Sequence, residues 1–336
     1  MQEISKSRVA VDIIIIIACA LPLVAFQKWI KPYQRGFYCN DETIRYPYRD
    51  STVTRHQLVV IGTAVPVLLM VVFECMRVGL WEARRIRAGT YQPQVYRLKN
   101  FTLHRLVVRL YIFCGYFALG VCFNQVLTDI AKYTIGRLRP HFIAVCQPES
   151  IWEANCPTNQ SHRYIDNYKC TGNDEFRITD SHLSFYSGHS SFSFFCAVYT
   201  VLYLQARVYR PLHSRIVLPF LQFILLGMAC FCAYSRVSDY KHHWEDVLFG
   251  SFMGIVVAIY VGVYVAELFQ RREMPSEHEG LATDAAAGLV KEESNNDIVA
   301  DLQYRSNQSP FTDNSQHEMR VVQQRHRPDD FDNGRV

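Results

Sequence analysis

Apolar positions along the chain gather into six runs, at residues 9–26, 58–73, 106–126, 192–204, 216–234 and 247–268. The first holds the Ile13–Ile17 block and a single charge, Asp12. The third is broken only by Arg109, and the last carries only Glu267. The fourth is rich in aromatics and reaches spanning length only if Ser187 to Ser191 join its helix. A bilayer core of about 30 Å takes about 20 helical residues, and each run meets that length with modest extension or tilt. Six such runs within about 260 residues would leave a soluble globule almost no polar surface, so buried helices of a soluble core are set aside. The first run lacks the small-residue cleavage site of a secretory signal. The expected fold is all-α: a polytopic membrane protein built as a six-transmembrane-helix bundle.

Six spans put both termini on one side of the membrane. The second connection, residues 77–105, carries seven Lys or Arg (Arg77, Arg84, Arg85, Arg87, Arg97, Lys99, Arg105) against one acid, Glu82. Arg207, Arg210 and Arg215 mark the fourth connection, and Arg271 and Arg272 follow the last run. The positive-inside tendency places these charges, and both termini, in the cytoplasm. The first connection is mixed, with Lys28, Lys31, Arg35, Arg45, Arg49 and Arg55 opposing Asp41, Glu42 and Asp50. Cysteines supply an independent argument. Seven of the eleven lie in or beside the runs, but Cys39, Cys146, Cys156 and Cys170 fall in the first and third connections. In this topology both connections are extracytoplasmic, where disulfides persist; three pairings remain open. Asn159 begins an acceptor sequon in the same third connection, so glycosylation is expected there. Residues 1–269 form the membrane domain. Residues 270–336, with 8 bases against 13 acids and no apolar periodicity, read as a disordered cytoplasmic tail.

Net charge follows this division. The whole chain is +4, too slight a bias to suggest a nucleic-acid partner. Without the tail, however, 27 bases face 18 acids.

Part of that cationic excess sits in three polar clusters at the outward ends of the runs. Lys132 to Pro140 closes the third run, Ser187-Gly188-His189 opens the fourth, and Ser235-Arg236, His242 and Asp246 bridge the fifth and sixth. Charges at such depths are expensive unless paired or functional. Lys132, Arg139 and Arg236 supply a point charge and two planar forks suited to phosphate oxygens. Ser187 and Gly188 stand where a loop becomes a helix, an anion-binding position, and Gly188 keeps the approach clear of a side chain. His242 and Asp246, four apart, would share a helical face, letting Asp246 accept one imidazole proton and hold the other nitrogen as a nucleophile. His189 would be the general acid. His243 is read as a non-catalytic neighbour facing away from Asp246, and Arg137 as an ion-pairing or headgroup contact. Surrounding cations make a metal site unattractive, and no cofactor is expected.

Together, K-x6-RP, SGH and SR-x5-H-x3-D resemble the three-part signature of the type 2 phosphatidic acid phosphatase superfamily. The flanks Gly36 to Asp41, Asp129 to His141, Ser184 to Ser193 and Ser235 to Trp244 look like those of the animal lipid phosphate phosphatases. The resemblance spans roughly residues 9–268. It implies a metal-independent membrane enzyme with an outward-facing active site that hydrolyses phosphatidate, lysophosphatidate, ceramide 1-phosphate and sphingosine 1-phosphate. It further implies that His242 forms a phosphohistidine, Asp246 orients it, and His189 protonates the leaving oxygen. Lys132, Arg139, Ser187, Gly188, His189 and Arg236 would hold the phosphate. Expected partners are lipid phosphates and the bilayer, with self-association open. The expected location is the plasma membrane, with endoplasmic reticulum or Golgi as alternatives. The competing expectations are a catalytically inactive relative acting as a membrane scaffold or lipid-binding protein, and a small transporter.

Overall fold

The computed structural model describes residues 2–3, 5–87, 89, 95–98, 101–149, 156, 163–208 and 214–269, with only the backbone described at 2, 3, 81 and 98. The tail at 270–336 and the Asn159 sequon lie outside the described residues.

Six helices are long and apolar enough to cross a membrane. They are α1 (Lys6–Lys28), α2 (Arg55–Met76), α4 (Arg105–Ile135), α7 (Gly188–Val208), α8 (Val217–Ser238) and α9 (Trp244–Ile259). Each begins or ends in polar residues beyond its apolar run, because helical hydrogen bonding continues past the edge of the apolar stretch. The fourth reaches its length by starting at Gly188, so the serines do join the helix. Thr54 and Gln57 start α2 with a reciprocal capping box. Two π-helical segments, Arg77–Glu82 and Tyr260–Val265, extend α2 and α9. Three shorter helices, α3 (Ala83–Arg87), α5 (Phe142–Cys146) and α6 (Glu175–Ser181), complete the helical set among the described residues.

Large apolar side chains face outward, and the interior combines an apolar, aromatic core with paired polar groups. α1 has no buried residue and presents Ile13, Ile14, Ile15 and Ile17 outward. It packs on α4, where Tyr111 donates to Asp12 at 2.8 Å. The most enclosed helix is α7, against which α2, α4, α8 and α9 all pack. Two glycines of α9 allow the closest approach: a Cβ on Gly250 would meet the Ser187 carbonyl oxygen at 2.6 Å, and one on Gly254 the Ser191 carbonyl oxygen at 2.2 Å. Small residues four apart let two membrane helices touch backbone to backbone. Ser191 also donates to Asn124 of α4 at 2.6 Å across the interior.

Above the helix ends near Gly136 and Gly188 lies a small loop layer. Strands β2 (Phe37–Tyr38) and β5 (Tyr164–Ile165) pair antiparallel, and Phe37, Phe142 and Tyr168 meet ring to ring. Disulfides Cys39–Cys156 and Cys146–Cys170 tie this layer, choosing one of the three open pairings. The other seven cysteines are free thiols. A second set of short strands, β1 (Gln2–Glu3), β3 (Tyr96–Leu98) and β4 (Phe101–Leu103), forms a separate sheet in the order β1-β3-β4.

At the opposite helix ends the structure departs from the sequence reading. Arg77, Arg105 and Arg207 do not stand as simple cations at a membrane surface. Glu82 receives Arg109 at 2.6 Å and Arg105 at 2.7 Å, with Arg77 at 3.5 Å. Glu74 receives Arg207 at 3.0 Å and Tyr203 at 3.2 Å. Glu74 and Glu82 are wholly buried, so four elements are joined by charges withdrawn from water. The exposed Arg84, Arg87 and Arg97 remain as surface cations of that connection. Breaking a buried ion pair by removing one partner costs roughly 3–5 kcal/mol, because the other charge is stranded. Glu82→Ala, which takes from Arg105 and Arg109 their shared carboxylate, should therefore lower the thermal midpoint in detergent by several degrees. A midpoint equal to wild type would remove the network from the account of stability.

Candidate active site

Gly136 ends α4 in the left-handed region (φ 56°), and a Cβ there would lie 2.0 Å from the Tyr33 carbonyl oxygen. The chain turns sharply at this point and carries Arg137, Leu138 and Arg139 across the bundle end. Lys132 stays behind on the last turn of α4. The turn is held to the segment entering α7: Arg139 N–H donates to the Ser181 carbonyl at 2.9 Å, and Ser184 N–H to the Arg137 carbonyl at 2.9 Å. Ser187 N–H donates to the Asp246 carbonyl at 3.0 Å, while Ser187 Oγ accepts from the Ser190 amide at 3.4 Å, an N-cap interaction. The amides of Lys241 and His242 both bond back to the Arg236 carbonyl, folding the third cluster onto itself.

These contacts bring the three clusters to one place. Lys132 Nζ lies 3.6 Å from where a Cβ on Gly188 would stand, so the absent side chain keeps the lysine beside the start of α7. Arg139 is buried and pairs with Asp180 at 2.7 Å. Arg236 is buried and donates to Ser235 Oγ at 2.9 Å and to Asp239 at 3.0 Å. Asp239 is itself held by the amide and hydroxyl of Thr52, both at 2.8 Å. His189 lies within electrostatic reach of Arg236, Lys132 and Arg139. Its Nε2 is buried and has no hydrogen-bond partner among the described residues.

His242 is enclosed, and its pKa lies well below the ordinary imidazole value. Burial is the main cause; the charges of Arg139 and Lys132 add to it. The ring is neutral at pH 7. Its Nδ1 sits 2.8 Å from the Ser184 carbonyl oxygen, an acceptor only, so Nδ1 carries the proton and Nε2 holds a free lone pair. Opposite fields act on the carboxylate nearby: burial pushes the Asp180 pKa up, but Arg139 and Lys132 outweigh it and hold it below the usual range.

The sequence reading needs three corrections here. His242 and Asp246 do not share a helical face, because α9 starts only at Trp244 and His242 belongs to the preceding turn. Asp246 stands 3.9 Å from His242 Nδ1, and the hydrogen bond goes to Ser184 instead. The carboxylate is already engaged by Arg137 (2.7 Å), Ser184 Oγ (2.6 Å) and the His243 amide (3.2 Å). His243 therefore does not face away: its backbone caps Asp246, and its Nε2 lies 3.1 Å from the Leu138 carbonyl. Arg137 is an ion-pairing residue, gripping Asp246 and Glu245.

Four further groups belong to the site. Ser184 links Asp246 to His242, and Asp180 and Asp239 fix the two arginines. Lys241, its pKa lowered to about 8 by burial and then by Arg139, lies 3.7 Å from the Tyr48 ring centre. Asp239 was legible as the (i, i+3) partner of Arg236. Asp180 and Ser184 carry no local signal, since their partners lie 41 and 58–62 residues away. Among the described residues no group of three or more His, Cys, Asp or Glu is arranged to hold a metal ion.

Comparison with known proteins identifies a family. Residues 110–271 match the PAP2 superfamily. The chain is 40% identical over 272 residues to phospholipid phosphatase 1 of Rattus norvegicus, covering 81% of this chain and 89% of that one. It is 38% identical over 272 residues to phospholipid phosphatase 2 of Homo sapiens, covering 80% and 86%. It is also 38% identical over 248 residues to phospholipid phosphatase homolog 1.2 homolog of Caenorhabditis elegans, covering 74% and 70%. No solved structure gives a significant match. With six apolar helices and relatives matched over most of their length, the chain belongs to the PAP2 superfamily and is an integral-membrane phosphatase.

Proposed function

We propose that the protein hydrolyses the phosphate monoesters of membrane lipids, among them phosphatidate, lysophosphatidate, ceramide 1-phosphate and sphingosine 1-phosphate, through a phosphohistidine and without a metal. One observation carries the chemistry: the neutral, buried His242 has its Nδ1 proton committed to Ser184, leaving Nε2 as the nucleophile among cations. The relatives' names, phospholipid phosphatase, support the lipid substrate class.

In the first step the Nε2 lone pair forms a bond to phosphorus as the bond to the lipid oxygen breaks. His189, protonated in the field of the incoming phosphate dianion, delivers its proton to that oxygen. Lys132, Arg139, Arg236, the Ser187 hydroxyl and the amides opening α7 neutralise the equatorial oxygens. In the second step His189 takes a proton from water, whose oxygen attacks phosphorus and releases His242. Asp180 and Asp239 hold the arginine forks in place before substrate arrives, which lowers the reorganisation needed during reaction. Arg137 and Ser184 hold Asp246 in place, and through Ser184 the imidazole. The disulfide-bonded loop layer lies at the same helix ends as this site. That supports an extracytoplasmic active site with cytoplasmic termini.

Phosphate release from lysophosphatidate should persist in EDTA and vanish in His242→Ala. Acid-quenched protein should carry acid-labile, base-stable label from a phosphate-labelled substrate, and the His242→Ala protein none. Turnover or label retained by that variant would overturn the nucleophile assignment. The pH profile supplies a second check. Neutral His242 is the reactive form, and the Arg139 charge depresses its pKa. Arg139→Gln should therefore move the acid limb of kcat/KM to higher pH, besides lowering its maximum. A limb in the wild-type position would show that this charge does not act on the nucleophile.

A further inference from the structure

An apolar groove of about 510 Å³ runs down the bundle from the phosphate-binding end. Its floor is α7, through Ser193, Cys196 and Ala197, and its sides are α2 and α8. We infer that this groove holds one hydrocarbon chain of the lipid whose phosphate lies at His242, so that chain length is read by α2 and α8. The inference rests on the lipid-phosphatase reading above and extends it to the tail.

Three observations make the groove continuous with the site. Ser193 lies one helical turn below His189 on α7, and Cys232 one turn below Arg236 on α8; Cys232 Sγ is 4.0 Å from the His189 carbonyl oxygen. The lip is Val53, next to Thr52, which holds the Asp239 partner of Arg236. The upper end of the groove therefore lies one helical turn from His189 and Arg236. From Arg236 to Ile224, the lowest lining residue of α8 along the chain, the helix descends about 18 Å at 1.5 Å per residue. That is slightly more than one leaflet of a core about 30 Å thick, the reach of an extended acyl chain anchored at the membrane edge.

The groove is open because small residues line it. Gly227 is the clearest case: a Cβ added there would meet nothing within 4 Å. No turn or close packing requires a glycine at this point of α8. Glycine in a helix interior costs about 1 kcal/mol relative to alanine, and here the space it leaves is part of the groove. Met228 and Phe231 flank it from the same helix, and Ile61 and Val65 face it from α2. The lining is almost wholly apolar, which suits a methylene chain and no headgroup.

The test is Gly227→Leu, which places a branched side chain in the groove. In detergent micelles, the ratio of kcat/KM for dioleoyl phosphatidate to that for dihexanoyl phosphatidate should fall at least tenfold relative to wild type. An unchanged ratio overturns the groove. A second measurement does not depend on turnover: His242→Ala protein is equilibrated with a phosphatidate bearing a photoreactive diazirine near the end of one acyl chain. Crosslinks should fall within residues 58–66, 193–197 and 224–232, and should disappear when Gly227→Leu is added. Crosslinks confined to other helices overturn the inference. Crosslinks at the groove in a protein whose wild type releases no phosphate would instead sink the phosphatase reading and leave the groove as a lipid site.

Discussion

Asp246 is the buried charge on which the geometry of the phosphate end depends. It is fully enclosed, and an ionised carboxylate in such a place is tolerable only if its oxygens are satisfied. They are satisfied by one group from each of three chain segments: Arg137 after α4, Ser184 before α7, and the His243 amide at the start of α9. Its own carbonyl accepts the Ser187 amide. Moving any one helix end would strand the carboxylate. The cost of burying a charge thus becomes the constraint that fixes where His242, Ser187 and Arg139 stand. Gly250 and Gly254 make the arrangement reachable, since side chains there would hold α9 away from α7.

The same reasoning separates two kinds of cation in the site. Arg139 and Arg236 are buried and already matched to Asp180 and Asp239, so their forks are aimed before a ligand arrives. Lys132 sits beside Gly188 as a compact charge on a flexible stem. A dianionic phosphate entering this field replaces water with fixed donors, and the carboxylates behind the arginines limit the net positive charge of the empty site. The field also explains the state of His242. A lone imidazole would titrate near neutrality, but burial and these neighbours keep it neutral, which a nucleophile requires.

Much of this was legible in the sequence, and the residues that were not share a cause. Spans could be read because a bilayer imposes a length and a composition on every helix that crosses it. The three clusters could be read because their chemistry is local: a lysine and arginine before proline, a serine and glycine before histidine. The (i, i+4) rule failed at His242 and Asp246 because it presumes a helix, and the helix begins two residues later. Ser184 and Asp180 were invisible because their partners come from other elements. Glu74 and Glu82 misled for the same reason. Along the chain they are isolated acids near arginines that resemble surface anchors, and only packing shows that Arg109 and Arg207 reach them from α4 and α7.

Both ends of the bundle solve one physical problem in opposite ways. At the Glu74 and Glu82 end, carboxylates and guanidinium groups pair with each other, so charge closes the bundle by joining α2, its π-helical extension, α4 and α7. At the Asp246 end, charge is paired behind the working groups: Arg139 and Arg236 face acids on one side, and His189 Nε2 has no hydrogen-bond partner among the described residues. A site for an anion must remain incomplete in its absence, yet incomplete polar groups in a membrane protein cannot be left to lipid. Placing them at the helix ends, beneath a disulfide-tied loop layer, keeps them out of the hydrocarbon. The apolar groove between α2 and α8 then begins where that polar end stops. A molecule that is anionic at one end and hydrocarbon at the other fits both solvents at once, which is the physical ground for a lipid monoester over a free phosphate as the substrate.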